Sequence, residues 1–222
     1  MNVGDVVIAI GSMVAGFRAL RSSLGGIDSV GRVSDVRQAV SRSRRAGTKP
    51  KATPYNVYTI GDRVSHIRKV MLDGRADPEV RILTGKLLSK KCGKKWCIEE
   101  RDSWGEVKAI FKLVKENVRY TSDPVDIDLF QHPMRILESG AGDCDCMTII
   151  LGSMLMSVGY SVKMRVIRGR GARDWNHIYL LVGLPRGAPK QWVPLDASVP
   201  DAPPGWQPGR TQIAAYRDFR VL

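Results

Sequence analysis

The sequence predicts an α+β fold in which helices pack on an antiparallel β-sheet. Helical apolar spacing recurs between residues 60 and 118, an apolar helix is expected after Asp143, and three strand patterns follow it up to Ser198. The chain has 222 residues, of which 43% are apolar, so it is long enough for one domain with an extension and a full core.

Positive charge is densest near the N-terminus. The chain carries 35 Lys and Arg against 22 Asp and Glu, a net charge of +13. Residues 40–56 are basic and contain Gly47, Pro50 and Pro54, which break helices, so we expect an exposed linker there. This linker is either a solvated tether or a contact for nucleic acid, an anionic cell-surface polymer or an acidic partner protein.

Residues 3–21 have one apolar stripe at helical spacing, which predicts a helix that packs on its own domain, on a sister subunit, on a partner or on a membrane surface. Its apolar run from Val6 to Phe17 is shorter than the roughly 20 residues that a transmembrane helix needs. Asp5 and the lack of Lys or Arg before the run argue against a signal peptide. We therefore expect a docking arm at 1–54 and a globular domain at 55–222, with no transmembrane span.

Three helices open the predicted domain, at 60–72, 78–89 and 103–118. Ser103 with Glu106 has the capping-box spacing, which makes Ser103 the expected N-cap of the third. Cys92 and Cys97 lie between the last two helices. Buried or free thiols are the favoured interpretation of this pair, and a disulfide stays open. A zinc half-site is the least favoured alternative, because it needs two more ligands and no matching C-x2-C pair exists.

Cys144 follows the small residues 140–142 and begins an apolar helix of about 14 residues that Gly159 ends. The unpaired N–H groups and the dipole at a helix N-terminus favour a thiolate, which lowers the thiol pKa. The same N–H groups can hold an oxyanion during acyl transfer. Cys144 is therefore a candidate nucleophile, although for this residue taken alone an ordinary half-buried thiol is the favoured interpretation.

Three strands are predicted after this helix, at 161–167, 177–184 and 191–198. His177 opens the second strand and Asp196 lies near the end of the third. A nucleophilic thiol needs a base within hydrogen-bond reach, and the base needs a third group to orient it. Neighbouring antiparallel strands can place His177 beside Asp196, with the preceding helix bringing Cys144 against them.

Six segments occur in a characteristic order, followed by Pro204-Gly-Trp206: Val118-Arg-Tyr120, Phe130-Gln-His-Pro133, Gly142-Asp-Cys-Asp145, the apolar helix to Gly159, His177 at a strand start, and Trp192-Val-Pro-Leu-Asp-Ala-Ser198. By these segments the stretch from Tyr120 to about Trp206 resembles the transglutaminase-like superfamily of papain-type cysteine enzymes, and most of all its small bacteriophage and prophage members. The resemblance implies a papain/transglutaminase-like core.

The resemblance implies a catalytic triad in which Cys144 attacks a peptide or carboxamide carbonyl, His177 transfers the proton and Asp196 orients His177. Gln131 is either an oxyanion donor or, as we favour, a structural residue. Hydrolysis and acyl transfer to an amine are both known in the superfamily. We favour hydrolysis of a peptide or protein amide, and we expect no metal and no cofactor.

The phage likeness implies a virion-associated protein, made in the host cytoplasm, that acts on a cell-wall peptide or a virion protein. The alternative is a structural tail or capsid-associated subunit that uses the same fold as an interaction module with little or no activity. In either case residues 1–54 are expected to contact virion proteins, and contact with nucleic acid or an anionic surface is a weaker expectation.

Two features depart from a simple active site. Cys146 stands where phage-type relatives often have Asp, and its thiol is either inert, disulfide-bonded or a cause of lower activity. Because its side chain points away from that of Cys144 around the helix, we expect Cys144 at the site. Acidic residues also outnumber basic ones from 121 to 160, which raises a thiol pKa and predicts either a cationic substrate or a solvated acidic loop.

Overall fold

The fold is mixed helix and strand, as predicted. The computed structural model describes residues 36–38, 40–42, 54, 56–123 and 128–222. The helices are α1 (Ile60–Ala76), α2 (Pro78–Leu88), α3 (Ser103–Asn117), α4 (Pro133–Ser139) and α5 (Cys144–Ser157). The strands are β1 (Lys91–Cys92), β2 (Lys95–Trp96), β3 (Arg119–Tyr120), β4 (Ala141–Gly142), β5 (Val162–Gly169), β6 (His177–Leu184), β7 (Gln191–Leu195) and β8 (Ile213–Arg220).

The starts of the first three helices follow from side chains that cap their free N–H groups. Thr59 and Asp62 form a reciprocal capping box at α1, and Asp77 caps α2 just before Pro78. The predicted N-cap of α3 is wrong by one residue, because the carboxylate of Asp102 accepts the N–H of Gly105 at 2.8 Å. Glu106 instead accepts a hydrogen bond from the hydroxyl of Tyr160.

Helix α5 lies in the centre of the core. Twelve of its 14 residues are buried, since it packs on α1 on one side and on β6 on the other. Two glycines allow a close approach at this layer. A Cβ at Gly74 of α1 would lie 2.5 Å from both Pro133 Cγ and Ser153 Oγ, and a Cβ at Gly152 would collide with the Met71 side chain. These contacts fix the last turns of α1 against α4 and α5.

The sheet has the strand order β7-β6-β5-β8, and every neighbouring pair is antiparallel. Strands β5, β6 and β7 match the predicted strands to within three residues. Strand β8 is an additional edge strand that the sequence patterns did not predict. Its residues are mostly exposed, so its sequence lacks the apolar alternation that identified β5.

Residues 91–97 form an exposed hairpin closed by a disulfide. Cys92 and Cys97 are bonded to each other, so the favoured prediction of free thiols at this pair is wrong. The hairpin pairing Cys92 with Lys95 and the backbone hydrogen bond from Cys97 to Lys90 bring the two thiols within bonding distance. The spacing of four residues between the two cysteines does not by itself predict this hairpin, so the sequence offered no reason to favour the disulfide.

The described part of the predicted arm contacts the domain. Val36 is buried in the core, Val40 packs against it, and Gln38 accepts a hydrogen bond from Lys86 at 3.0 Å. The predicted helix at 3–21 lies outside the described residues. Among the residues that the structure describes, none belongs to a helix that is long and apolar enough to cross a membrane.

Candidate active site

Cys144 is the first residue of α5, and the backbone before it is held in place. The short parallel strands β3 and β4 pair, with N–H groups of Arg119 and Thr121 donating to the carbonyls of Gly140 and Gly142. The carboxylate of Asp143 then accepts the N–H of Cys146 at 2.9 Å and caps the helix. As predicted, the thiol of Cys144 therefore lies at the N-terminus of a buried helix.

His177 and Asp196 meet at one end of the sheet. The pairing of β6 with β7 matches Leu180 to Leu195, which brings the residue after β7 back towards the start of β6. The Nε2 of His177 lies 2.7 Å from Oδ2 of Asp196. The strand order thus predicted this contact correctly.

The carboxylate of Asp196 is fully engaged. It is 2% exposed, and its Oδ1 accepts both the backbone N–H of Ser198 at 3.2 Å and the Ser198 hydroxyl at 2.6 Å. One oxygen is thereby fixed by Ser198 while the other faces His177. The contact between Ser198 and Asp196 was not among the predictions. The signal that could have found it is the spacing, because a serine two residues after an aspartate is typical of a local side-chain turn.

The thiol of Cys144 faces the start of β6. The backbone amide of Ile178, the residue after His177, lies against the sulfur and favours its ionised form. Tyr120 of β3 is half exposed, and burial, followed by the charge of the nearby Cys144, raises the pKa of its hydroxyl. The sulfur of Cys144 therefore lies next to the first residues of the strand that carries the histidine.

Of the two opposing effects expected from the sequence, a lowered thiol pKa at Cys144 is wrong, and the rise caused by neighbouring acids is confirmed. Burial raises the pKa of the thiol well above its ordinary value, and the charges of Asp145 and Asp143 raise it further, while the Ile178 amide and Arg63 act in the opposite direction. The residue keeps partial exposure although protein atoms surround its sulfur. The thiol is therefore protonated near neutral pH and needs a base to become a nucleophile.

The two acids beside the cysteine are buried. Asp145 is 1% exposed and its pKa is raised by burial, with Arg63 acting against the rise. Burial, and then the charge of Asp145, raises the pKa of Asp143 to about 7. The Sγ of Cys144 lies 3.7 Å from Oδ1 of Asp145, so this carboxyl is in direct contact with the thiol.

Arg63 reaches this acidic group from α1. Its Nε donates to Oδ2 of Asp145 at 2.9 Å, and its guanidinium also pairs with Asp128. The acidic excess was predicted from residues 121–160 only, so this cation was missed. Arg63 precedes Asp128 and Asp145 by 65 and 82 residues along the chain. No local pattern in the sequence marks Arg63 as part of the site.

Asp143, Cys144 and Asp145 each offer one ligand atom, and these atoms lie within 4.8 Å of one another. The carboxylate of Asp145 is already paired with Arg63, and that of Asp143 accepts the Cys146 amide. Because Arg63 already pairs with Asp145 and one oxygen of Asp143 caps the helix, we propose no metal for the group.

Cys146 lies away from the thiol of Cys144, as expected. It is buried and unbonded to another cysteine, and its thiol donates to the Leu129 carbonyl at 3.3 Å. Burial raises its pKa above the ordinary range for cysteine, and the backbone amide of Gln131 faces its sulfur. Gln131 is half-buried, and its role as an oxyanion donor stays a prediction.

Comparison with protein families gives one match. Residues 96–197 match the model of the transglutaminase-like superfamily. A search among curated proteins found no significant match to the chain. The matched range contains Cys144, His177 and Asp196, whereas Arg63 and β8 lie outside it. Residues 96–197 of this chain therefore form a transglutaminase-like superfamily domain.

Proposed function

We propose that the chain is a cysteine amidase or peptidase in which Cys144 is the nucleophile, His177 the general acid and base, and Asp196 the group that orients His177. The domain type suggests cysteine peptidase or amidase activity. The observation that carries the finer assignment is the 2.7 Å contact of His177 with a buried carboxylate, beside the strand residue that touches the Cys144 sulfur.

The raised pKa of Cys144 decides how the first step proceeds. Because the thiol keeps its proton near neutral pH, the Cys144 sulfur attacks the carbonyl carbon as His177 accepts the proton. Asp196 stabilises the resulting imidazolium across the 2.7 Å contact. The free N–H groups at the start of α5 are suited to hold the oxyanion of the tetrahedral intermediate.

The second half of the reaction restores the thiol. The imidazolium gives its proton to the leaving amine as the C–N bond breaks, which leaves a thioester on Cys144. Water then attacks the thioester carbon while His177 accepts a proton from the water. His177 returns this proton to the Cys144 sulfur as the C–S bond breaks, which releases the free thiol and a carboxylic acid. An amine in place of water gives acyl transfer, and we favour hydrolysis.

The test measures both the nucleophile and the acyl acceptor. Wild-type protein, Cys144→Ala and the control Cys146→Ala are incubated with a panel of peptide amides in H₂¹⁸O, with and without added cadaverine. We expect ¹⁸O in the acid product from the wild type and from Cys146→Ala, and none from Cys144→Ala. Turnover by Cys144→Ala would rule out the nucleophile, and a cadaverine adduct formed in preference to the acid would replace hydrolysis by acyl transfer.

A second candidate is a binding module of the same fold with little or no activity. The observation that favours it is the burial of Cys144 between two acids, which raises the thiol pKa and opposes thiolate formation. Absence of any product in the same assay, together with slow alkylation of Cys144 at every pH at which the protein is folded, supports this candidate over the enzyme.

Docking of residues 1–54 on phage virion proteins is a proposal that rests on the apolar stripe and basic linker of these residues and, for the phage partner, on the sequence resemblance alone. Its test is the removal of residues 1–35, which leaves the buried Val36 in place. We expect the shortened protein to keep its activity and to lose co-sedimentation with particles. Equal co-sedimentation of both forms would contradict a docking role. A steep loss of DNA binding with added salt would instead assign the arm to nucleic acid.

A further inference from the structure

Arg63 connects the first helix of the chain to the acidic group beside Cys144. Its guanidinium contacts Asp145 at 2.9 Å and also pairs with Asp128, and its side chain is 29% exposed against 2% for Asp145. It comes from α1, outside the range that the superfamily model matches. The cation is thus supplied to the site by the helical layer that precedes the matched domain.

The carboxyl of Asp145 would lack compensation without this cation. It is buried, it touches the thiol, and Asp143 and Asp128 are its acidic neighbours. A buried charge without a partner is costly, and a carboxylate beside a thiol opposes ionisation of the thiol. Arg63 is therefore in the position to hold the negative charge next to Cys144 as one half of an ion pair.

We propose that Arg63 is a positioning residue for Cys144, which neutralises Asp145 so that the neighbouring thiol can lose its proton without facing an unpaired carboxylate. The proposal rests on the proposed role of Cys144 as the nucleophile. The charged and titratable groups around the sulfur come from several elements: Asp143 and Asp145 of α5 and Arg63 of α1 act on it, Tyr120 of β3 is near it, and His177 of β6 precedes Ile178, whose backbone amide faces it. Asp123 and Asp128 lie next to this group.

The order of ionisation fixes the direction of the effect. A carboxyl loses its proton at a lower pH than a thiol, and burial shifts both upward. The ionised sulfur therefore always faces an ionised Asp145. With Arg63 present the adjacent pair carries no net charge, and without Arg63 it carries one negative charge. Loss of the cation must then shift thiolate formation to higher pH.

The experiment follows the rate at which iodoacetamide alkylates Cys144 as a function of pH. The background is Cys146→Ser, in which Cys144 is the one free cysteine because Cys92 and Cys97 are bonded to each other. Arg63→Gln is compared with Arg68→Gln, a matched control on the same helix whose Nε donates to the Val221 carbonyl at 2.8 Å. Thermal unfolding of each variant shows whether it is folded.

We expect Arg63→Gln to move the midpoint of the profile upward by about one pH unit, an approximately tenfold slower alkylation at neutral pH, and Arg68→Gln to leave it unchanged. Arg63→Lys keeps the charge and should recover most of the rate. The double variant Arg63→Gln/Asp145→Asn removes both partners and should return the midpoint to within about half a unit of the parent, which a merely structural role would not do.

Equal profiles for Arg63→Gln and Arg68→Gln would overturn the proposal. If Arg63→Gln does not fold, Arg63→Lys and the double variant decide, and a double variant whose midpoint stays about one unit high overturns it. This readout needs no substrate. Turnover by Cys144→Ala, or the absence of any product from the wild type, therefore refutes the proposed function separately, while the alkylation profile alone judges Arg63.

Discussion

Replacing Asp196 by Asn should slow the reaction of Cys144 strongly. The amide keeps the shape of the side chain and removes its charge. In the native protein Oδ2 of Asp196 lies 2.7 Å from Nε2 of His177, and Oδ1 accepts a hydrogen bond from the Ser198 hydroxyl. Asp196 is 2% exposed, so water cannot enter to replace the lost charge beside His177.

The size of the effect follows from Coulomb's law. Two unit charges about 4 Å apart attract by about 4 kcal/mol at an effective dielectric constant of about 20. His177 keeps 18% of its side chain exposed, and this partial solvation lowers the value. We therefore assign about 2 to 4 kcal/mol to the stabilisation of the imidazolium by Asp196. The rate should fall by about 30-fold to 900-fold, since 1.36 kcal/mol corresponds to a factor of ten.

The assay is the rate of iodoacetamide alkylation of Cys144 at neutral pH in the Cys146→Ser background, read by mass spectrometry. The control is Asp218→Asn, which removes an equal charge on β8, where Asp218 pairs with Arg165 at 2.7 Å. We expect wild-type alkylation in the control and the loss only in Asp196→Asn. A rate within about threefold of the parent in Asp196→Asn would show that His177 does not serve the thiol, and the triad would be rejected.

Three further predictions concern stability and pH, each measured by urea unfolding. Gly74→Ala should destabilise the fold by about 1 to 3 kcal/mol, because the added Cβ would overlap α4 and α5. Its control, Gly85→Ala on α2, has open space around the added Cβ and should stabilise the fold by about 0.5 to 1 kcal/mol; equal effects of the two variants would contradict the close packing at Gly74. Replacing Cys92 and Cys97 by Ser should cost about 2 kcal/mol, the value for a short closed loop, and an unchanged stability would contradict it. The raised pKa of Asp143, about 7 in the folded state against 3.8, means that the native state keeps a proton that the unfolded chain releases, so stability is lost as pH rises through this window. Asp143→Asn should therefore gain about 1 kcal/mol or more relative to the wild type between about pH 5 and about pH 8, and a constant difference would refute the shift.

Apolar patterns were sufficient to predict most of the helices and strands that surround the site. The helix that begins at Cys144 is apolar on all sides, and the strand that begins at His177 is a continuous apolar run, so both patterns indicate burial whatever their partners are. Edge strand β8 and the hairpin at 91–97 escaped prediction because their exposed side chains give no such pattern.

Local sequence patterns were enough to place three chemically reactive residues at the ends of these elements. They put a cysteine at a helix start, a histidine at a strand start and an aspartate just after the next strand. Antiparallel order then required the histidine and the aspartate to meet, since a hairpin brings the start of one strand beside the end of the next. That much depends on local pattern and connectivity alone.

The electrostatics of the thiol depends on packing as well. The helix N-terminus favours a lowered pKa for Cys144 and the acids beside it favour a raised one, and burial, the largest cause, decides for the raised pKa. The compensating cation, Arg63, comes from a different helix 82 residues before Asp145 along the chain. Burial and long-range charge depend on which distant elements pack together, and a single sequence does not contain those distances.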